Sequence, residues 1–375
     1  MRYAVRNTNA NSKIFPKMNI GIIVICTCNN PAVIQRKLYN LERDGLTLLN
    51  GTAINVAGRI LGFVGDIGSS ITISMAEVLT RLNHVLISYA STSPSLSNRD
   101  AFPYFLRVVP SNSDQVKIMV KLLKQLGSNY IQIVYSKETY GEEGRDNVIQ
   151  EAADAGICVE QTVEVTESTN HLVYDRLLQA GSATTIIVWV RSHMTVPLAA
   201  ALRQKATSGA FTFICSHSWN TNRQVILEDT TQILLGAFTI VLDIQPNKNV
   251  SDHVRFMNFV PWQQDPWGAM FLQEKLQCSV KNSYIQTHPS LCPVVHPLAS
   301  SDVEIDAYVT TAYLATLALL TGSHSQHQSV CGTASTVLCP QFYRTDGRFQ
   351  WLVSVISFFY RLLQNTRVAK ACMYL

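Results

Sequence analysis

Short, almost continuously apolar runs alternate along this chain with stretches of helical spacing, and that alternation restricts the folds open to it. The runs occupy residues 20–25, 60–64, 85–88, 131–135, 185–190 and 211–215. Their lack of a polar face is what strands buried on both sides of a parallel sheet require. Between them, Ile71, Met75, Val78, Leu79 and Leu82 fall on one helical face. Val116, Met119, Val120 and Leu123 fall on another, with Lys117, Lys121 and Lys124 opposite. Ser113-Asp114 is the expected cap of that second helix, which closes before Gly127. A third helix runs through Val148, Ala152 and Ala155 and stops at Gly156. The βαβα order predicts an α/β fold of doubly wound, mostly parallel sheets.

With 375 residues the chain is long enough for two cores. Boundaries are predicted near Val109-Pro110-Ser111, where a strand-like run meets a proline, and near 242–247, where the strand-like run 236–241 gives way to polar residues. Two boundaries imply an inserted domain, with parts at 1–109, 110–242 and 243–360 and a tail at 361–375. The net charge of +4 is spread without a basic stripe, so no nucleic-acid partner is expected.

Cys278 and Cys292 flank one polar stretch, and Cys331 and Cys339 flank another. Two short loops closed by cysteine pairs suggest disulfides and an oxidising compartment. Neither pair has a CxxC spacing, so no metal is expected, and no cofactor fingerprint occurs. Asn50-Gly51-Thr52 and Asn249-Val250-Ser251 are glycosylation sequons. No apolar leader follows Met1, a departure from an extracellular reading. The apolar stretch 305–320 contains Asp306 and is short for a span of roughly 20 residues. It reads as core, as does 352–363.

In open α/β sheets, ligands bind beyond the carboxyl ends of the strands. Four such ends carry polar clusters. Gly65-Asp66-Ile67-Gly68-Ser69-Ser70 precedes a helix, whose free N–H groups and dipole suit a carboxylate or phosphate. Tyr89-Ala90-Ser91-Thr92-Ser93-Pro94 is dense in hydroxyls, by itself a turn and beside an anion seat a source of acceptors. Glu138-Thr139-Tyr140-Gly141-Glu142-Glu143-Gly144 places acids in a helical first turn, where the dipole favours them as caps rather than catalysts. Ser216-His217-Ser218-Trp219 pairs a serine with a histidine, but no GxSxG elbow accompanies it. The chain lacks the signatures of an enzyme.

The segments GFVGDIGSSITI, ISYASTSPSLS, YFLRVVPSN, ETYGEEG and GICV follow one another as in the ligand-binding domain of metabotropic glutamate receptors, class C G-protein-coupled receptors. VWVRSHMT, DVEIDAYVTTAYLATLAL and the Cys331–Cys339 loop extend the resemblance to about Phe359. It implies a two-lobed, periplasmic-binding-protein-like (Venus flytrap) clamshell that closes on an amino acid, glutamate among them. Lobe 1 would comprise 1–109 and 243–360, and lobe 2 residues 110–242. It also implies a homodimer, an extracellular setting at the plasma membrane, glycosylation, and coupling to a G protein through a seven-helix domain. By motif, Ser69 and Ser70 resemble the carboxylate seat, Ala90, Ser91 and Thr92 the contacts to carboxylate and amine, and Tyr140 an aromatic that packs on the ligand. Cys158 resembles a cysteine bridging to a cysteine-rich domain, and Cys28 a member of a disulfide with an upstream partner. The family's first strand would precede Met1.

Departures accompany the likeness. Asn112 and His217 stand where the family has ammonium-binding acids, and Tyr343 near where it has a base, with Arg344 adjacent. No cysteine between residues 41 and 58 corresponds to one linking two protomers. The second reading is a truncated or stand-alone binding protein that does not signal.

Overall fold

The computed structural model describes residues 1–11, 13–16, 18–47, 53–56, 59–205, 209–220, 236–241, 244, 246–255, 269–270, 273–274, 276–281, 288–292, 307–343 and 370–373. The chain parts into two compact units, Met1–Ile244 with Thr311–Leu375, and Gln245–Thr310.

The elements of the larger unit follow the sequence rhythm. They begin with helices α1 (Arg2–Ala10) and α2 (Pro31–Asp44) and the short strands β1 (Leu46–Thr47) and β2 (Ala53–Ile54). Next come β3 (Phe63–Val64), α3 (Ser69–Arg81), β4 (Leu86–Ser88) and β5 (Phe105–Arg107). Then follow α4 (Asn112–Gln125), β6 (Tyr130–Ser136), α5 (Thr139–Asp154), β7 (Cys158–Val165), α6 (Val173–Ala180) and β8 (Thr185–Trp189). The series continues with α7 (Ser192–Lys205), β9 (Thr212–Cys215), α8 (His217–Asn220) and β10 (Phe238–Val241). Helix α9 (Lys248–Arg255) lies in the smaller unit, α10 (Ala307–Cys331) begins there, and β11 (Lys370–Met373) is the last strand.

Two parallel sheets carry the larger unit. One runs β3-β4-β5; the other runs β11-β10-β9-β8-β6-β7, with only β11 antiparallel. Successive side chains of a strand point to opposite faces, and β8 shows the consequence. Ile186 and Val188 join α6 and α7 through Val173, Leu177 and Leu198. Ile187 and Trp189 join α4 and α5 through Met119, Leu123 and Val148. The smaller sheet is covered on one side by α2 and α3, through Ile34, Leu38, Met75 and Leu79. Ala315, Ala318 and Leu319 of α10 cover Ile87 and Leu106 on the other. The apolar segment around residue 315 is therefore core, as its length implied.

Two expectations change, and one strand is new. Residues 20–25 form no strand: among the described residues no neighbour pairs with them, and Ile22, Ile23 and Val24 are exposed. The cap of α4 is Ser111, whose side chain accepts from the Ser113 amide, two residues before the expected Ser113-Asp114. Strand β7 went unpredicted, because CVEQTVEV sits at a sheet edge with half-exposed positions and lacks a continuous apolar run. The tail supplies β11, which pairs with β10 through Phe238↔Met373 to Val241↔Lys370.

Both disulfides form as the loop spacing suggested, Cys278–Cys292 and Cys331–Cys339. Cys26, Cys28, Cys158 and Cys215 are free, and the Cys28 sulfur lies 2.9 Å from that of Cys26.

Candidate ligand-binding site

All the candidate ligand residues fall just beyond the carboxyl ends of parallel strands, where such sheets bind ligands. After β3, Gly68 is the N-cap of α3, so Ser69 and Ser70 open the helix with its unsatisfied N–H groups. The turn beneath them is tied down from several directions. The Asp66 carbonyl accepts from the Ser88 and Ser91 hydroxyls, both at 2.9 Å. The Asp66 carboxylate accepts from the Gly68 amide (2.9 Å) and the Thr27 hydroxyl (3.1 Å). Ser91 also meets Thr72 at 2.5 Å, so its hydroxyl is engaged in building the turn. Among the described residues, no hydrogen bond holds the side chain of Ser69 or Thr92, although both residues are buried.

A basic group faces this seat. A Cβ placed on Gly68 would lie 2.9 Å from Nη2 of Arg191, so the guanidinium rests against the head of α3. Its Nε lies 3.6 Å from Glu138. A helix N-terminus and an arginine together favour an anion. In the sequence Arg191 is marked only by its place in VWVRSHMT, because no local spacing relates it to a glycine as far back as Gly68.

A second cluster gathers after β6 and β9 and at the start of α4. Tyr140 donates to Ser216 at 3.1 Å and packs against Trp189 and edge-on against His217, with centroids 5.8 Å away in each case. Burial pushes the Tyr140 hydroxyl's pKa upward, and its bonds to Ser216 and Ser218 offset this in part. Gln115 donates Nε2 to the Ile240 carbonyl at 2.8 Å, which turns its Oε1 toward Nδ1 of His217 at 3.0 Å. Nδ1 therefore carries the imidazole proton and Nε2 a lone pair. Burial lowers the His217 pKa to about 4. Asn112, 1% exposed, has no partner for Nδ2 or Oδ1 among the described residues.

The depressed His217 pKa has a stability consequence. The unfolded chain binds this proton near the usual value of about 6.5, the folded chain only near 4, so stability falls as pH drops through that window. At pH 5 the loss is expected to be about 2 kcal/mol relative to neutral pH. His217→Gln, measured by urea unfolding at both pH values, is expected to remove that difference. An unchanged pH dependence would contradict the assignment.

Ala90 is buried, and its amide lies 3.2 Å from the Ser88 hydroxyl. The Thr92 carbonyl accepts from the Asn112 amide at 2.8 Å, joining the hydroxyl turn to the start of α4. Ser93 and Ser95 each donate to Glu143 at 2.5 Å, joining the end of β4 to α5. Glu138 is the N-cap of α5, accepting from Tyr140 and Gly141, as the helix-dipole argument anticipated for acids here. Cys158 is exposed at the start of β7, and Asn249 is exposed in α9. Asn50, Arg344 and the apolar run 352–363 lie outside the described residues.

Residues 1–296 match the family described as "Receptor family ligand binding region". The chain belongs to that family. Among curated relatives it is 27% identical to metabotropic glutamate receptor 6 of Oryctolagus cuniculus over 93% of this chain and 42% of the relative. It is 26% identical to metabotropic glutamate receptor 4 of Macaca fascicularis over 92% of this chain and 40% of the relative. The chain thus spans about two fifths of the length of these receptors. The receptor ligand-binding region supplies the α/β architecture with parallel sheets seen here. Among the described residues no helix is long and apolar enough to cross a membrane.

Proposed function

We propose that the chain is the extracellular ligand-capturing region of a metabotropic glutamate receptor-like, class C G-protein-coupled receptor. It holds an amino-acid-like molecule and has no catalytic turnover. The observation that carries this reading is the seat at the head of α3, with Ser69 at the helix start, Thr92 on the adjoining turn and Arg191 against Gly68. A carboxylate there meets helix N–H groups, two hydroxyls and a guanidinium. Lobe 1 comprises 1–109 and 243–360 and lobe 2 residues 110–242, and closure of the clamshell signals through a homodimer. The Ser93–Glu143 and Ser95–Glu143 bonds support closure, because they join the two parts across the strand ends. Asn249 is exposed and available to a glycan.

Calorimetric titration of the secreted chain with L-glutamate and other small carboxylates tests the seat. A hydrogen bond to a charged group contributes about 1.5–3 kcal/mol, so Ser69→Ala and Thr92→Ala are each expected to weaken binding at least about tenfold. Intact affinity in Ser69→Ala would sink the assignment.

A further inference from the structure

The chemistry at the far side of the seat sets what the ligand carries beside its carboxylate. Three carboxylates lie near it, and each is already engaged by protein donors. Glu138 accepts from the Ser136 hydroxyl (2.7 Å), the Gly141 amide (2.9 Å) and the Tyr140 amide (2.9 Å), and faces Arg191. Glu143 accepts from Ser93 and Ser95, and Asp66 from Gly68 and Thr27. These donors fill part of each carboxylate's acceptor capacity, and an incoming ammonium would compete with them for it.

What the site offers instead is neutral. Asn112 begins α4, with its amide N–H on the Thr92 carbonyl, so it stands beside the hydroxyl turn. Its carboxamide is buried, with both the Nδ2 donor and the Oδ1 acceptor unpartnered among the described residues. Leaving both orphaned is costly, and a ligand that accepts from one and donates to the other removes that cost. One helical turn on, Gln115 holds His217 in the tautomer that leaves a lone pair on Nε2. A buried cation here would sit in the same site as the Arg191 guanidinium, a like charge.

We propose that the ligand is a small carboxylate whose α-substituent is an uncharged hydrogen-bonding group, of the 2-hydroxy acid or N-acyl amino acid class, in place of a zwitterionic amino acid. Asn112 is its specificity-determining residue, donating to and accepting from that group, with His217 as a further acceptor. The inference rests on the reading of the α3 head as a carboxylate seat.

Calorimetric titration with matched pairs tests it: L-glutamate against (S)-2-hydroxyglutarate and N-acetyl-L-glutamate, and L-aspartate against L-malate. The uncharged member of a pair is expected to bind at least about tenfold tighter. Asn112→Asp restores an anion for an ammonium and is expected to reverse the preference, whereas Ser69→Ala weakens both members alike. Tighter binding of the amino acid in the unmodified chain would overturn the inference and leave the seat standing, as would a preference that Asn112→Asp does not move. Binding of no carboxylate in either pair would overturn both. Should the aspartate variant fail to fold, the ratio in the unmodified chain decides.

Discussion

Trp189→Ala is expected to destabilise the chain by about 4 kcal/mol, in the range for deleting a fully buried large aromatic. For a unit of this size that lowers the melting temperature by roughly 10 °C. The indole ends β8 with no exposed surface and fills the space between that strand and α5. Tyr140 leans on it, with ring centroids 5.8 Å apart, so the loss reaches the site as well as the core. Differential scanning calorimetry of both forms checks this. A fall of less than about 3 °C would mean that the core around β8 relaxes into the cavity, and the packing described here would be wrong.

Gly141→Ala is expected to cost about 3 kcal/mol, the upper part of the usual range for overpacking. The added methyl would stand 2.0 Å from the Ser136 carbonyl oxygen, a backbone atom at the end of β6 that no rotamer change can move. Gly144 is similarly constrained, since a Cβ there would lie 2.1 Å from the Trp189 indole nitrogen. The two glycines of Tyr140-Gly141-Glu142-Glu143-Gly144 let α5 settle directly onto the carboxyl ends of β6 and β8. That closeness delivers Tyr140 to Ser216 and His217. Gly21→Ala, where nothing lies within 4 Å of the added carbon, is the control expected to leave the melt unchanged. Equal melting temperatures for the two variants would refute the close approach.

The sequence made the central strands plain and left the edges obscure. Strands β6, β8 and β9 are flanked on both sides by other strands and covered on both faces, so their apolar runs are continuous and stand out. Residues 20–25 have the same composition, yet pairing depends on a neighbouring strand, which composition does not reveal. Strand β7, at an edge, carries exposed and half-buried positions over most of its length, and its pattern is weak for that reason.

The same distinction runs through the site. The seat at Gly68-Ser69-Ser70 is local, a glycine-containing turn followed by a helix start, and local signals are legible. The pairings of Arg191 with Gly68, Gln115 with His217 and Glu143 with Ser93 join positions far apart in the chain. No spacing rule finds them. Asn112 and His217 stood out only by contrast with the acids of a family they resemble. The physical content of that contrast is an orphaned amide and a neutral imidazole, which only the three-dimensional arrangement supplies.

The central claim is that the chain captures a small amino-acid-like carboxylate. Its most direct test is the melting temperature of the secreted chain against a panel of amino acids and their 2-hydroxy counterparts, L-glutamate included. A true ligand at 100 times its dissociation constant adds about 2.7 kcal/mol, an upward shift on the order of 5–10 °C. The account predicts such a shift for a subset of the panel, cut to about half or less by Thr92→Ala. A cooperative melt that no member of the panel moves would contradict it.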